Sequence, residues 1–285
     1  MSRTQLFKGI FVLAVFLVVV GFSKTGQTSL SIQKDAVLTK EPAGPSLTTY
    51  TWAIFNPKTG EILDGEYTNT KKPIASITKL FTAVAVLKSK DKDKDFTIIQ
   101  SDIDTEGVSG RIHKGESFSM YKLLFPLLLE SSNDAAHAIQ RYLDKEYFET
   151  LETVFASLSI SDTSLSDASG LDARNVSTAE DLAIFFSYIK RSHPHILDIT
   201  RLNKYVGEFT GYSNNNRIHT FNGYYGGKQG FTDEAGKTFI GSFVTQNNSN
   251  QIGVIVLGST DLLVDVQNLI EYARNTVAAS DIMSQ

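Results

Sequence analysis

The segment Pro73-Ile74-Ala75-Ser76-Ile77-Thr78-Lys79 decides how this chain of 285 residues is interpreted, because it opens a helix with a serine and a lysine. Positions i and i+3 share one face of a helix, so Ser76 and Lys79 are expected to meet within hydrogen-bonding range. A serine hydroxyl is a weak nucleophile until a base takes its proton, and an unprotonated lysine can do so. Burial among apolar neighbours would keep that lysine unprotonated. The segment therefore predicts an activated serine.

The Ser-x-x-Lys pattern alone is weak evidence, because it occurs five times in the chain. The other four copies begin at Ser31, Ser89, Ser119 and Ser187. A lone copy is more often an N-cap serine beside a surface lysine. Only the copy at Ser76 is followed by Ser131-Ser132-Asn133 and then by Lys228-Gln229-Gly230. Three motifs in this order predict a serine acyl-transfer site, of the kind found in enzymes of the bacterial cell wall.

The middle motif lies where one predicted helix gives way to the next. Serine and asparagine are ordinary capping residues at such a place, and a capping role is compatible with a catalytic one. In the catalytic interpretation, Ser131 relays a proton to the leaving amine. Asn133 holds the amide of the substrate and fixes Lys79.

The third motif is predicted to lie on a strand whose edge aligns a peptide substrate by backbone pairing. Lys228 would supply positive charge for a terminal carboxylate, and Gly230 would let the ligand approach the backbone closely. The backbone N–H groups of Ser76 and Phe231 are expected to form the oxyanion hole.

The pattern of predicted elements indicates an α+β fold in which one antiparallel sheet is built from both chain ends, with a helical lobe between them. Strands are expected at residues 50–55, 61–63, 227–230, 238–244 and 251–257. Helices are expected at residues 76–88, from 119 through 128, at 133–143, 178–188 and 261–273.

The N-terminus predicts export. Arg3 and Lys8 precede an apolar run over residues 9–22, so residues 1–23 are interpreted as a signal peptide or an N-terminal membrane anchor. Residues 24–47 are a polar linker, and residues 48–285 form the catalytic domain. The protein is thus expected in the periplasm or cell wall space, either secreted or attached to the cytoplasmic membrane. A net charge of −4 gives no basic footprint and argues against nucleic acid as a partner, and the absence of cysteine excludes disulfides and thiolate metal sites.

The chain resembles the penicillin-binding D-alanyl-D-alanine carboxypeptidases, over residues 50 to 273. The resemblance rests on the three motifs together with Gly115-Glu116, Ser169-Gly170-Leu171-Asp172, residues 177–183 and Asn214-Asn215-Asn216. It implies the β-lactamase/DD-peptidase-like fold, an acyl-enzyme on Ser76, and no cofactor. It also implies a peptidoglycan pentapeptide or cross-linked peptide as substrate, and β-lactams as covalent inhibitors. Ser76, Lys79 and Ser131 would be catalytic, and Asn133, Lys228, Gln229 and Gly230 would bind the substrate.

Gln229 departs from that family, which usually has a threonine whose hydroxyl helps to hold the substrate carboxylate. A glutamine amide must fold back to reach the same place, so Gln229→Thr is expected to raise kcat/KM on a peptide ending in D-Ala-D-Ala. If it does not, Gln229 is an adapted contact and an endopeptidase that cuts cross-links is favoured.

Other functions remain as alternatives. A non-catalytic peptidoglycan-binding relative is one of them. A class A β-lactamase shares the motifs, but it needs a glutamate to activate the deacylating water, and residues 166–176 contain none. The five histidines are scattered and match no zinc motif, so no metal is predicted, and His193-Pro194-His195 is expected to be a loop.

Overall fold

The computed structural model describes residues 44–107, 110–245 and 250–276, and these contain one compact unit that begins at Pro45. The predicted leader at residues 1–23 and nearly all of the predicted linker lie outside the described residues. Among the residues that are described, no helix is long and apolar enough to cross a membrane.

The described strands, in chain order, are β1 (Thr51–Phe55), β2 (Ile62–Glu66), β3 (Lys72–Pro73), β4 (Asp95–Thr97), β5 (Ser117–Ser119), β6 (Val176–Ser177), β7 (Lys204–Val206), β8 (Gly211–Ser213), β9 (Tyr224–Thr232), β10 (Gly236–Val244) and β11 (Gln251–Ser259). The described α-helices are α1 (Thr78–Lys88), α2 (Gln100–Ile103), α3 (Met120–Phe125), α4 (Asn133–Leu143), α5 (Lys145–Leu158), α6 (Ala179–Ser192), α7 (Pro194–Arg201) and α8 (Leu262–Thr276).

The main sheet confirms the predicted α+β fold. It has five antiparallel strands in the order β2-β1-β11-β10-β9, so β1 from the start of the unit pairs with β11 from its end. One face packs against α8, and the other covers the helical lobe. This order leaves β9 at an edge of the sheet, beside the helical lobe, where a peptide could pair with it.

Three predicted elements differ from the observed ones. The helix expected at residues 76–88 begins as a 3₁₀ turn over Ala75–Ile77 and becomes α-helical at Thr78. The helix expected from Ser119 through Leu128 ends at Phe125 and continues as a π turn over Pro126–Glu130, because Pro126 cannot donate the next helical hydrogen bond.

The prediction of a loop at His193-Pro194-His195 is wrong. Pro194 is the first residue of α7, a position where proline's missing N–H costs nothing and its fixed φ suits the helix.

Candidate active site

Ser76 lies in a tight turn between β3 and α1, where the backbone is strained. The preceding residue, Ala75, has a φ of 47°, a left-handed conformation that residues other than glycine rarely adopt. Two glycines pack against this turn. A Cβ at Gly230 would lie 2.6 Å from the Ser76 nitrogen, and one at Gly170 would lie 1.9 Å from the Ala75 oxygen. The lack of a side chain at Gly230 therefore lets β9 pack against the Ser76 turn, whereas the close approach of a ligand to Gly230 stays a prediction.

Lys79 lies below Ser76 and is fully buried. Its Nζ is 2.9 Å from Ser76 Oγ, 2.8 Å from Asn133 Oδ1 and 2.7 Å from the Ser169 carbonyl oxygen. The predicted contact between Ser76 and Lys79 is thus present, and it joins the 3₁₀ turn to the first turn of α1.

The environment of Lys79 favours its neutral form. Burial, followed by repulsion from Lys228, lowers the pKa of Lys79 well below its ordinary value, and attraction to Asp167 opposes this. The oxygens of Asn133 and Ser169 can only accept, so they take the two hydrogens of a neutral amine. The lone pair of that amine then remains for the hydroxyl hydrogen of Ser76. In this arrangement a neutral Lys79 can accept the proton of Ser76.

Ser131 and Lys228 form a second pair across the cleft. The Lys228 Nζ donates to Ser131 Oγ at 3.0 Å and to the Gln229 carbonyl at 2.6 Å. Burial lowers the pKa of Lys228 to about 7, so this ammonium can exchange a proton near neutrality. Ser131 itself has a left-handed backbone with a φ of 61°, which turns the chain between the π turn and α4.

Asn133 links Lys79 to the loop on the other side of the cleft. Its Oδ1 accepts from Lys79, and its Nδ2 donates to the Glu106 carbonyl at 2.6 Å. One amide hydrogen of Asn133 remains for a ligand.

Gln229 has a partner that the sequence did not reveal. Its Nε2 donates to the Asn215 carbonyl at 3.1 Å. Asn215 in turn holds the turn before Ser131, because its backbone nitrogen donates to the Leu129 carbonyl at 2.9 Å and its Nδ2 to the Glu130 carbonyl at 2.6 Å. Replacing Gln229 by threonine would remove the hydrogen bond from Gln229 Nε2 to the Asn215 carbonyl.

A cleft of about 660 Å³ joins these residues. Of the predicted site residues, it is lined by Ser76, Ser131, Asn133, Gln229, Gly230 and Phe231. The nitrogen of Ser76 lies beside β9 at Gly230, one residue before Phe231, so the two N–H groups predicted for the oxyanion hole belong to adjoining backbone. Lys79 and Lys228 lie beneath this surface. The structure thus brings together all the predicted site residues.

The loop that contains Asp167 and Ser169 supports Lys79, a role that no sequence motif predicted. The Asp167 carboxylate accepts from the backbone nitrogens of Ser169, Gly170 and Asp172 at 2.6 to 2.7 Å. These bonds orient the Ser169 carbonyl that binds Lys79. The Ser-Gly-Leu-Asp similarity was a signal for this loop, but a backbone carbonyl leaves no mark of its function in a sequence.

No group of three or more His, Cys, Asp or Glu residues that could hold a metal ion occurs in the part of the chain that the structure describes. A serine beside a buried lysine, a second serine–lysine pair and an edge strand together define a serine acyl-transfer enzyme of the penicillin-recognising class.

Comparison with known proteins identifies the family. A model of the D-alanyl-D-alanine carboxypeptidase family matches residues 37–260. The chain therefore belongs to this family, and it is a serine hydrolase of peptidoglycan peptides.

Individual relatives include both a carboxypeptidase and an endopeptidase. The chain is 28% identical over 211 residues to the D-alanyl-D-alanine carboxypeptidase DacB2 of Mycobacterium tuberculosis, covering 70% of this chain and 71% of that protein. It is 29% identical over 218 residues to a D-alanyl-D-alanine endopeptidase of Pseudomonas aeruginosa, covering 72% of this chain and 69% of that protein. The crystal structure of penicillin-binding protein D2 from Listeria monocytogenes, in its ampicillin-bound form, has a TM-score of 0.70 at 27% identity and covers 80% of this chain and 97% of that one.

Proposed function

We propose that this protein is a serine D-Ala-D-Ala carboxypeptidase that trims peptidoglycan stem peptides through an acyl-enzyme on Ser76. The observation that carries the proposal is the buried Lys79 Nζ, 2.9 Å from Ser76 Oγ, with its two other partners both acceptors. Such an amine can take the hydroxyl proton as Ser76 attacks the carbonyl carbon of the scissile bond.

The remaining steps use the second pair. The tetrahedral intermediate places its negative oxygen between the N–H groups of Ser76 and Phe231. As the C–N bond breaks, Ser131 gives its proton to the leaving amine and regains one from Lys228, whose Nζ is 3.0 Å away. Water then hydrolyses the ester on Ser76 and frees the shortened peptide.

A DD-endopeptidase remains the second candidate, because the P. aeruginosa relative carries that name and Gln229 replaces the family's threonine. The two activities break the same kind of D-alanyl bond and differ in the leaving group. The intact network around Lys79 argues against a non-catalytic relative. The lack of glutamate in residues 166–176 argues against rapid β-lactam hydrolysis.

Penicillin provides the test of the nucleophile, because β-lactams acylate the same serine. Mass spectrometry after penicillin treatment is expected to show one adduct, on the peptide that contains Ser76. Ser76→Ala should abolish it, and Lys79→Ala should slow its formation by 10²–10⁴-fold. An adduct on Ser131 in the wild-type protein would refute the assignment.

We also place the enzyme outside the cytoplasmic membrane. Its family acts on peptidoglycan, and residues 1–23 have the composition of a signal peptide or membrane anchor.

A further inference from the structure

Glu130 lies directly before Ser131, and its side chain joins two distant segments of the chain. The residue is only 9% exposed. Its Oε1 accepts from Arg111 Nη2 and, at 3.0 Å, from the Ser213 nitrogen, while its Oε2 accepts from Arg111 Nε at 3.4 Å. Arg111 precedes β5, and Ser213 ends β8. Glu130 therefore ties the end of the π turn to both of these segments.

The main chain of the same turn is bound by a residue close to Ser213. The Asn215 nitrogen donates to the Leu129 carbonyl at 2.9 Å, and Asn215 Nδ2 donates to the Glu130 carbonyl at 2.6 Å. Residues 213–215 thus bind Glu130 by its carboxylate and by its carbonyl. Contacts at both positions fix the peptide that leads into Ser131.

The backbone of Ser131 requires such support, because its φ of 61° is left-handed and unfavourable for a residue with a Cβ. Conformations of this kind persist only where neighbouring contacts hold them. The Ser131 hydroxyl accepts from Lys228 Nζ at 3.0 Å, but that ammonium lies at the end of a flexible four-carbon side chain. The chain after Ser131 is fixed by α4, which begins at Asn133, and the contacts of Glu130 fix the chain before it.

We infer that Glu130 is a positioning residue for the proton that Ser131 gives to the leaving amine. The inference rests on the proposed function and adds a residue to its second proton transfer. As the C–N bond breaks, the nitrogen takes a proton from Ser131 Oγ, and Ser131 regains one from Lys228 Nζ. Glu130 acts through the backbone that places Ser131 Oγ between these two groups. Only bonds whose leaving group needs a proton should therefore depend on Glu130.

The test compares two substrates that differ in the leaving group. One is diacetyl-Lys-D-Ala-D-Ala, whose leaving amine must be protonated. The other is the same peptide with thiolactate in place of the terminal D-Ala, so that a C–S bond is broken. The thiolate keeps the electron pair of that bond and needs no proton donor, since thiols have a pKa of about 8.5. The measured quantity is kcat/KM, which includes the release of the leaving group and excludes the later hydrolysis of the ester.

Glu130→Ala in the full-length protein should lower kcat/KM on the amide by about ten- to a hundredfold, because a small displacement of a catalytic group can reduce the rate by about 10²-fold. Its kcat/KM on the thioester should stay within about threefold of wild type, since no proton is transferred to that leaving group. Glu130→Gln should fall between wild type and Glu130→Ala on the amide. It keeps the length of the side chain and an oxygen acceptor, but it loses the charge that pairs with Arg111.

Asp181→Ala is the matched control for the loss of a buried carboxylate. Asp181 lies on α6 and is 6% exposed, and its Oδ2 accepts from the Asp162 nitrogen at 2.9 Å and from Thr163 Oγ1 at 2.8 Å. These bonds hold residues 162–163 and not the turn before Ser131. Asp181→Ala should lower the free energy of unfolding, measured with denaturant, but change the ratio of the two kcat/KM values less than about twofold.

An equal loss on both substrates in Glu130→Ala, or an unchanged kcat/KM on the amide, would overturn the inference. If Glu130→Ala does not fold, the ratio in Glu130→Gln decides in the same way. Ser131→Ala separates this failure from a failure of the proposed function. If Ser131→Ala lowers kcat/KM on the amide alone while the Glu130 variants keep the wild-type ratio, only the inference fails. If Ser131→Ala keeps that ratio, or the wild-type protein hydrolyses neither substrate, the proposed proton transfer fails and the inference fails with it.

Discussion

At the scale of single residues, the site depends on two lysines that are buried within one cluster. Removing an ammonium group from water penalises its charged form, and the second ammonium adds repulsion. Lys79 is therefore held ready to accept a proton, and Lys228 lies near the point where it can give one. In the proposed mechanism, Ser76 gives a proton to Lys79 and Ser131 receives one from Lys228.

These lysines make the stability of the protein depend on pH. The pKa of Lys228 is about 7 in the folded protein, below its ordinary value, so the unfolded chain binds more protons at neutral pH. The free energy of unfolding is therefore expected to increase as the pH rises from 7 towards the ordinary pKa of lysine, 10.5, and to decrease as the pH falls to 7. Between pH 7 and pH 9 Lys228 alone should contribute about 2 kcal/mol to the free energy of unfolding.

Lys228→Met tests this, since it keeps the length of the side chain and removes the titrating group. The free energy of unfolding, measured by denaturant unfolding, should increase from pH 7 to pH 9 by about 2 kcal/mol less in the variant than in the wild-type protein. Lys204→Met, at an exposed lysine, serves as the control and should keep the wild-type difference. A Lys228→Met protein with an unchanged pH dependence would show that Lys228 is not desolvated as the structure implies.

The three motifs named residues that the structure brings together in one cleft, and each motif could be recognised because it carries a side chain with distinct chemistry. It could not reveal Gln229's contact with the Asn215 carbonyl, which joins residues 14 positions apart through a backbone atom. That contact affects the increase in kcat/KM expected from Gln229→Thr, because the substitution adds a hydroxyl but removes the hydrogen bond to Asn215.

At the scale of elements, the proposed nucleophile Ser76 lies in a strained turn that neighbouring residues hold in place. Ala75 is held in a left-handed conformation, and Gly170 packs directly on its carbonyl. Strain of this kind persists only where contacts with the surrounding structure hold the residue in that conformation.

Gly170→Ala should therefore displace the Ser76 turn. The new Cβ would lie 1.9 Å from the Ala75 oxygen, so penicillin acylation should fall at least tenfold, as followed by labelling rate. Gly115→Ala is the matched control, because Gly115 has a similar φ of 91° but nothing lies within 4 Å of its added Cβ. Gly115→Ala should lower the free energy of unfolding by about 1–2 kcal/mol, because alanine disfavours the left-handed conformation, and it should keep the labelling rate. Equal labelling rates in the two variants would show that the packing on Ala75 does not position Ser76.

Elements with a strong periodic pattern were predicted closely, and α4 was predicted with its observed bounds. Two of the errors occurred at prolines, which act in two opposite ways. Pro126 ends regular helix, whereas Pro194 begins one, and only the surrounding chain decides between these effects. α5 was missed, although it buries Tyr147, Leu151 and Val154 against the lobe.

At the scale of the whole molecule, the sheet joins both ends of the folded unit. Thr48 fixes the entering chain, because its nitrogen and hydroxyl donate to the two oxygens of buried Asp265 at 2.8 and 2.6 Å. The unit is thus tied at its start to α8, and its contacts from Pro45 onward form one compact body. We therefore expect folding to depend on the unit itself and export to depend on residues 1–23.

That division predicts different fates for two forms of the protein. In spheroplasts, protease added outside should digest the full-length domain, because the N-terminal segment has carried it across the membrane. A form that begins at Pro45 should stay inside and be protected, yet react with penicillin after lysis, because it keeps Thr48 and its bonds to Asp265. Reaction with penicillin in both lysates is the control for folding. Protection of the full-length domain in intact spheroplasts would contradict the export role of residues 1–23, while loss of penicillin reaction in the shortened form would show that folding needs the residues before Pro45.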